Sequence, residues 1–365
     1  MSPRTSSNPT SSRWVRATYE ISTPDLEKAA RAITRGQTIG NPTVTAFYET
    51  DAIRNRHLAK ATWTSTGRMT VDYPRVNFGK EGVNYLMSVL MGGQMDVGII
   101  EGCRLVGIDL SALGKLLPGP RYGVEGIRKL LGAYDRPLIG GIVKPKIGMD
   151  ADQFSNVVLQ MARGGCDFIK EDEILANQKW CPAKDRIKLV AKKLGDLPTL
   201  YAPCITGDGA EVLRKARQAQ DWGASAIHLN VWCGLGAYRD VRRKVKLPLF
   251  FQKSGDRVWL TGPYAIDPLV WCQLINAIGC DFAHVGMYGG YLSEQLGELR
   301  QKVQALGTTI PSFSCGATPQ SVPQLQNLFG NDIMISSGGY MCGHPEGPEK
   351  GAREFREAIQ AIAVH

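Results

Sequence analysis

The sequence predicts an α/β protein: a C-terminal (β/α)8 TIM barrel preceded by a smaller α+β domain of ferredoxin-like type. Three observations predict it. From Arg136 onward, eight short apolar runs alternate with helix-like stretches to the end of the chain, the pattern of parallel strands joined by crossover helices. Before that point strand-like segments follow one another with little helix between them, which suits antiparallel pairing. No Gly-x-Gly-x-x-Gly follows the first apolar run, so a doubly wound open sheet is the weaker reading.

Residues 1–13, rich in Ser, Thr and Pro, read as a disordered tail. In the domain spanning 14–118, WVRATYEIS alternates as a strand. TPDLEKAARAITRG reads as a helix capped by Thr23, with Pro24 in its first turn and Gly36 ending it. TVTAFYET, HLAKATWTS and RMTVDYPRVNF read as further strands and GVNYLMSVLMGG as a helix, before the turn LLPGPRYG. In the barrel, 119–365, the eight runs are PLIGGIVK, CDFIKEDE, TLYAPCIT, AIHLNVWC, LPLFFQKS, CDFAHVGM, TIPSFSCG and DIMISSGG. Between them DQFSNVVLQMARGG, AEVLRKARQAQDWG and DPLVWCQLINAIG read as helices, each closed by Gly just past the periodic stretch.

The 365 residues are 43% hydrophobic and 21% charged, ordinary globular usage that argues against a disordered or fibrous chain. No apolar run approaches the roughly 18 residues that cross a bilayer, and no hydrophobic signal region follows the first arginines. A soluble, cytoplasmic protein without membrane contact is expected. Nine cysteines with no CxxC spacing read as reduced thiols. The net charge of +9 concentrates in AKDRIKLVAKKL, with Lys184, Arg186, Lys188, Lys192 and Lys193, and in AYRDVRRKVKLP. Both read as solvated helix faces, and without zinc-finger or RNP-type motifs no nucleic acid is expected.

A barrel places its active site at the C-terminal ends of its strands, so the polar residues closing each run are the candidates. They are Lys144 and Lys146; Lys170, Glu171, Asp172 and Glu173; Thr206 and Asp208; Asn230; Gln252 and Lys253; His284; Ser314 with Gly316; and Ser336 to Gly339. Packing alone does not explain charge this dense at apolar strand ends. KEDE offers carboxylate oxygens to a hard cation such as Mg²⁺. Strand alternation points Lys170 and Asp172 one way and Glu171 and Glu173 the other, so the ligands come partly from the loop beyond. Lys144 and Lys146 share a face, where mutual repulsion lowers a pKa and favours a proton carrier. CGAT and SSGGYMCGHPEG, closing adjacent strands, offer unobstructed amides to a phosphate. His284, at a strand end, is a candidate catalytic group, whereas His344 in a Gly/Pro loop reads as structural. Two other classes stay open: a Schiff-base aldolase using the same lysines, and a non-catalytic binding or regulatory protein.

GGIVKPKIGM, GGCDFIKEDE and SSGGYMCGHPEG, in this order and separation and with LPGPRYGVEGIRKLLGAYDRPLIGG, carry a family likeness. On them the chain resembles the RuBisCO large subunit, and more closely the RuBisCO-like proteins, the non-carboxylating form IV. The resemblance implies a homodimer in which the partner's N-terminal domain helps close each active site. It implies that Lys170, as a CO₂-derived carbamate, holds Mg²⁺ together with Asp172 and Glu173. Lys144 then handles the proton of enolisation and Lys146 supports the substrate oxygen. His284 lies near one phosphate, Gly316, Gly338 and Gly339 supply amides to phosphates, Ser314 lies near the substrate hydroxyls, and Lys253 is a further phosphate ligand.

The departures matter as much. Tyr291 stands where the family's lysine follows the sixth strand, Gly36 or Gln37 where it has a glutamate, and Gly92 where it has an asparagine. LPLFFQKSG also lacks the His-Arg pair of the fifth strand. Without the loop cation, charge on an added CO₂ loses its main partner, so fixation onto ribulose bisphosphate is not expected. The resemblance leaves a Mg-dependent lyase or enolase-type enzyme that acts through a Mg-bound enediolate of a phosphorylated keto sugar or sugar acid. KPK and the Gln252-Lys253 pair suit a carboxylate beside the phosphate, which favours decarboxylation or C–C cleavage of 3-oxo-isoapionate 4-phosphate. The alternative is the 2,3-diketo-5-methylthiopentyl-1-phosphate enolase or the methylthioribulose-phosphate isomerase of methionine salvage.

Overall fold

The computed structural model describes residues 13–362, so the tail expected over 1–13 lies, Arg13 apart, outside the described residues. Its strands are β1 (Trp14–Ser22), β2 (Lys60–Trp63), β3 (Arg68–Pro74), β4 (Gly102–Asp109), β5 (Leu138–Ile142), β6 (Phe168–Lys170), β7 (Leu200–Ala202), β8 (Cys204–Ile205), β9 (Ile227–Asn230), β10 (Leu249–Gln252), β11 (Tyr264–Ile266), β12 (Phe282–Gly286), β13 (Ile310–Phe313) and β14 (Met334–Ser337). The chain divides into two compact units. One holds the residues up to Leu117 together with Arg257–Trp271, the other Pro118–Asp256 and the stretch from Cys272 onward.

The first unit is built on a mixed sheet of order β11-β4-β1-β3-β2. Alternate residues of β1, from Val15 to Ile21, are buried, as in a strand with one covered face. Three expectations fail here. The helix Leu26–Gly36 is capped by Asp25 rather than Thr23: the Asp25 carboxylate accepts from the Lys28 N–H at 3.0 Å, the third helical residue. Thr23 instead donates to Ile99 O at 2.7 Å, and Pro24 precedes the cap rather than sitting in the first turn, whereas Gly36 ends the helix as expected. TVTAFYET forms no strand, because Asn41 Oδ1 collects the amides of Thr43 and Val44 at 2.8 and 3.2 Å and turns the backbone. Thr50 then caps a helix over Asp51–His57. The sheet is completed by β4 and β11, which the sequence did not mark; β4 contains Gly102 and Gly107, and β11 is three residues long.

The second unit is the expected parallel barrel, of order β7-β6-β5-β14-β13-β12-β10-β9-β8. The run TLYAPCIT is cut in two at Pro203, which has no N–H to give to a ladder. Its halves, β7 and β8, are the two ends of the order, so the eight runs encircle the barrel. Residues at or next to the starts of the strands, among them Leu138, Phe168, Phe250, Phe282, Ile310 and Met334, pack into one core layer against Ile127 and Leu131 of the helix Gly123–Leu131. Asp281 Oδ1 accepts the amides of Tyr122 and Gly123 at the start of that helix, at 2.7 and 3.1 Å. That end is plugged, which leaves the C-terminal ends of the strands as the open mouth. Asp150 and Gln153 form a capping box at Ala151–Arg163, and Ala210–Asp221 and Pro268–Ile278 also form where expected.

The basic run on the helix Ala183–Leu194 is not wholly solvated: Arg186 is fully buried and paired with Glu171. Arg239 in the second run is buried as well. All nine cysteines are free, and His344 is structural, its Nε2 lying 3.3 Å from Glu354. Among the described residues no helix is long and apolar enough to cross a membrane.

Candidate functional site

Lys170 closes β6 at the barrel mouth and is only 2% exposed. Its ammonium donates to Glu171 O at 3.2 Å and lies 5.7 Å from the centre of the Phe250 ring. Burial pushes its pKa down to about 8, against the pull of Glu173 and Asp172. The strand stops at Lys170, so simple alternation does not continue into the loop. Glu171 turns away from the mouth, where it accepts from Arg186 Nε and Nη2 at 2.6 and 2.9 Å, from Cys204 N–H at 2.9 Å, and from the Tyr201 hydroxyl.

Lys144 and Lys146 do not simply repel each other, because both meet Asp172. Lys144 Nζ is 2.6 Å and Lys146 Nζ 3.7 Å from Asp172 Oδ2. Burial alone raises the Asp172 pKa, but the Lys144 hydrogen bond and the neighbouring lysines outweigh it and hold the carboxyl below its usual range. Glu173 accepts from Ser254 Oγ at 2.7 Å and from Gln252 Nε2 at 3.4 Å. Lys144 and Lys146 after β5 thus meet Asp172, and Gln252 of β10 meets Glu173, the next residue along the loop after β6.

Around the rest of the mouth, His284 Nε2 and Ser314 Oγ are 3.3 Å apart, and the His284 ring stands edge-on to Phe250 at 4.9 Å. Burial, then Lys170 and Lys253, push the His284 pKa well down, which keeps the ring neutral. Cys315 and Gly316 after β13 both have positive φ, +82° and +111°. A Cβ on Gly316 would stand 2.9 Å from Gly290 Cα and 3.0 Å from Tyr291 N, so only glycine fits that backbone approach. Gly338 is as tight, since a Cβ there would lie 2.6 Å from Ile142 O, whereas Gly339 is open. Lys253 is engaged by Glu294 at 3.2 Å.

Sequence reasoning missed Glu294, Ser254, the buried Glu171–Arg186 pair, and His228, whose two ring nitrogens are buried without a partner. None carries a local signal, because each is defined by burial or by a neighbour distant in the chain. Within the first unit, Gln37 and Gly92, two of the departures from the family pattern, come together. Gln37 Nε2 donates to Ser88 O and Val89 O at 3.0 and 2.8 Å, and a Cβ on Gly92 would overlap Ser88 O. This turn has no space for the family asparagine.

Among the described residues no three His, Cys, Asp or Glu side chains converge as a metal site. Asp172 and Glu173 bring two carboxylates, so the residues fit a hard cation only where Lys170 contributes an oxygen. A buried amine with its pKa near 8 is suited to that, because the neutral form is the one that adds CO₂. The donor set therefore fits Mg²⁺ with a carbamylated Lys170.

The family profile "Ribulose bisphosphate carboxylase large chain, catalytic domain" matches residues 123–364. A 2,3-diketo-5-methylthiopentyl-1-phosphate enolase of Bacillus velezensis is 32% identical, over 95% of this chain and 92% of its own length. An uncharacterized ribulose bisphosphate carboxylase-like protein of Bordetella bronchiseptica is also 32% identical, over 80% of this chain and 74% of its own. Among solved structures, a rubisco-like protein from Alicyclobacillus acidocaldarius superposes with a TM-score of 0.85 at 26% identity, covering 96% of this chain and 94% of that one. With its plugged barrel, its lysine-and-carboxylate mouth and these relatives, the chain belongs to the RuBisCO large-chain family, as a RuBisCO-like protein.

Proposed function

We propose that the barrel mouth enolises a phosphorylated diketone of the kind for which the Bacillus relatives are named, 2,3-diketo-5-methylthiopentyl-1-phosphate. The observation that carries this reading is the meeting of Lys144 and Lys146 on Asp172 beside the buried Lys170. In its neutral form Lys144 takes the α-proton: its ammonium, now paired with Asp172, first gives one proton to solvent, then the substrate C–H bond breaks, that electron pair becomes the enol double bond, and the α-proton goes to the freed amine nitrogen. Lys146, half exposed, donates to the oxygen that gains charge. The amides at Gly316, Gly338 and Gly339 hold the phosphate, and neutral His284 with Ser314 orients the substrate hydroxyl side. Asp172, Glu173 and carbamylated Lys170 would hold Mg²⁺, which when bound supplies Lewis-acid polarisation of the ketone. A homodimer whose partner helps to close each mouth belongs to the same reading.

A sugar-acid substrate is the weaker alternative. Gln252 is bonded to Ser254 and Glu173, and Lys253 to Glu294, so the pair that suggested a substrate carboxylate is already engaged. Proton NMR in D₂O with Mg²⁺ and bicarbonate, offering the diketone phosphate beside 3-oxo-isoapionate 4-phosphate, separates the two. Exchange or enol formation with the diketone supports enolisation. Loss of carbon from the sugar acid, with the diketone inert, moves the assignment to decarboxylation or cleavage. Inertness of both favours a binding role.

Two variants sharpen the test. Lys144→Ala is expected to slow α-proton exchange by about a hundredfold or more, the usual scale of general acid–base catalysis; unchanged deuterium incorporation would remove Lys144 from its role. Gly316→Ala forces a Cβ against Gly290 and Tyr291 at positive φ, a strain of about 1–3 kcal/mol. Calorimetric titration should then give about tenfold weaker binding of the phosphorylated substrate, and equal affinity would clear Gly316 of phosphate binding.

A further inference from the structure

Lys253 at the mouth and Lys302 on a neighbouring helix share one carboxylate. Lys253, immediately after β10, lies 3.2 Å from Glu294 Oε1, and the other oxygen of Glu294 accepts from Lys302 on the helix Leu296–Ala305. The carboxylate is held in place by the loop that carries it. Glu294 N–H donates to Met287 O at 2.8 Å, Gly289 N–H donates to Ser293 Oγ at 3.1 Å, and Met287 and Ser293 form a bridge. The loop 287–294 is therefore closed at its base. Glu294 also lies directly on β12, because a Cβ at Gly286, where φ is +118°, would overlap its Oε1. Burial raises the Glu294 pKa, but Lys253 and Lys302 outweigh it and keep the carboxylate ionised.

We propose that Glu294 sets the charge selectivity of the site. Its carboxylate fills the position between Lys253 and Lys302 that a second phosphate or a substrate carboxylate would occupy, so the mouth takes ligands with one phosphate and an uncharged far end. The inference rests on reading the mouth as a phosphoketone site. The glycine amides after β13 and β14 serve the single phosphate. A second dianion would have to expel a carboxylate that is ion-paired twice, or sit beside it against like-charge repulsion in a partly buried site where Coulomb terms exceed those in water. Glu294 acts as a specificity-determining residue and takes no part in proton transfer.

The test is calorimetric titration of the intact protein, with Mg²⁺ and bicarbonate present, using a pentitol 5-phosphate and the matching pentitol 1,5-bisphosphate. The unmodified protein is expected to bind the bisphosphate no tighter than the monophosphate, within about threefold. Glu294→Gln, which keeps the shape and removes the charge, is expected to raise the bisphosphate preference about tenfold or more. A tenfold preference for the bisphosphate in the unmodified protein overturns the inference while leaving the phosphoketone reading intact, and needs no variant to fold. A Glu294→Gln protein with an unchanged ratio overturns it as well. Failure of the monophosphate to bind at all overturns this inference, while the phosphoketone reading stands or falls separately on α-proton exchange with the diketone phosphate.

Discussion

Lys170→Met is expected to abolish turnover while leaving the fold as stable as before, or slightly more so. The side chain is buried and its amine is already disfavoured as a cation, with a pKa near 8, so an apolar chain of similar length removes a desolvation cost. What is lost is the one group that can add a third oxygen to Asp172 and Glu173. Loss of the Lewis acid takes away several kcal/mol of charge stabilisation, or about a thousandfold or more in rate. The measurement is α-proton exchange in D₂O alongside a melting curve. Retained exchange would refute the metal assignment; lost exchange with a collapsed melting temperature would show a structural role instead. The same amine should capture ¹³C-bicarbonate, observable as a carbamate carbon by NMR. The signal should grow as pH rises through about 8, because the neutral amine is the reactive form and lies above that pKa. A carbamate signal that falls over that range would contradict the burial argument.

Arg186→Met is expected to be the most destabilising single change in the barrel, at about 3–5 kcal/mol. Arg186 and Glu171 are both fully buried, with Arg186 also donating to Cys181 O and Ala176 O at 2.5 and 2.8 Å. Removing the guanidinium leaves Glu171 charged inside the protein with only Tyr201 and the Cys204 amide to solvate it. The double change Arg186→Met with Glu171→Gln should recover part of the loss, since it removes the stranded charge as well. Denaturant unfolding of the three variants checks this. A loss below about 1 kcal/mol in the single variant would mean that Glu171 is protonated or hydrated there. Because Glu171 joins Lys170 to Asp172, this pair also holds the loop that carries Asp172 and Glu173 in register, and substrate affinity should fall in the single variant even at temperatures where it stays folded.

Barrel and site were legible in the sequence to different degrees. Eight apolar runs, their spacing and their polar closures are local facts, and a parallel barrel is the arrangement that buries such runs on both faces; hence Lys144, Lys146, Lys170, Asp172 and Glu173 could be placed at one mouth before any contact was known. Caps are equally local but depend on which of two neighbouring side chains reaches the third amide, and there Asp25 displaced Thr23. TVTAFYET has strand-forming residues, yet an Asn41 side chain outside the segment decides its path.

The charged residues depended on tertiary structure. Arg186 has the same sequence context as the lysines around it, and only Glu171, fifteen residues earlier and brought against it by the fold, makes it a core residue. Lys253 looks like an anion ligand until Glu294, forty-one residues away, occupies it. By itself the sequence determined the fold class and which polar residues close the strands, because apolar periodicity and strand-end polarity act over a few residues. Which charges remain available to a substrate was decided by tertiary structure alone, because an ion pair depends on through-space distance and burial, and neither is written in the spacing along the chain.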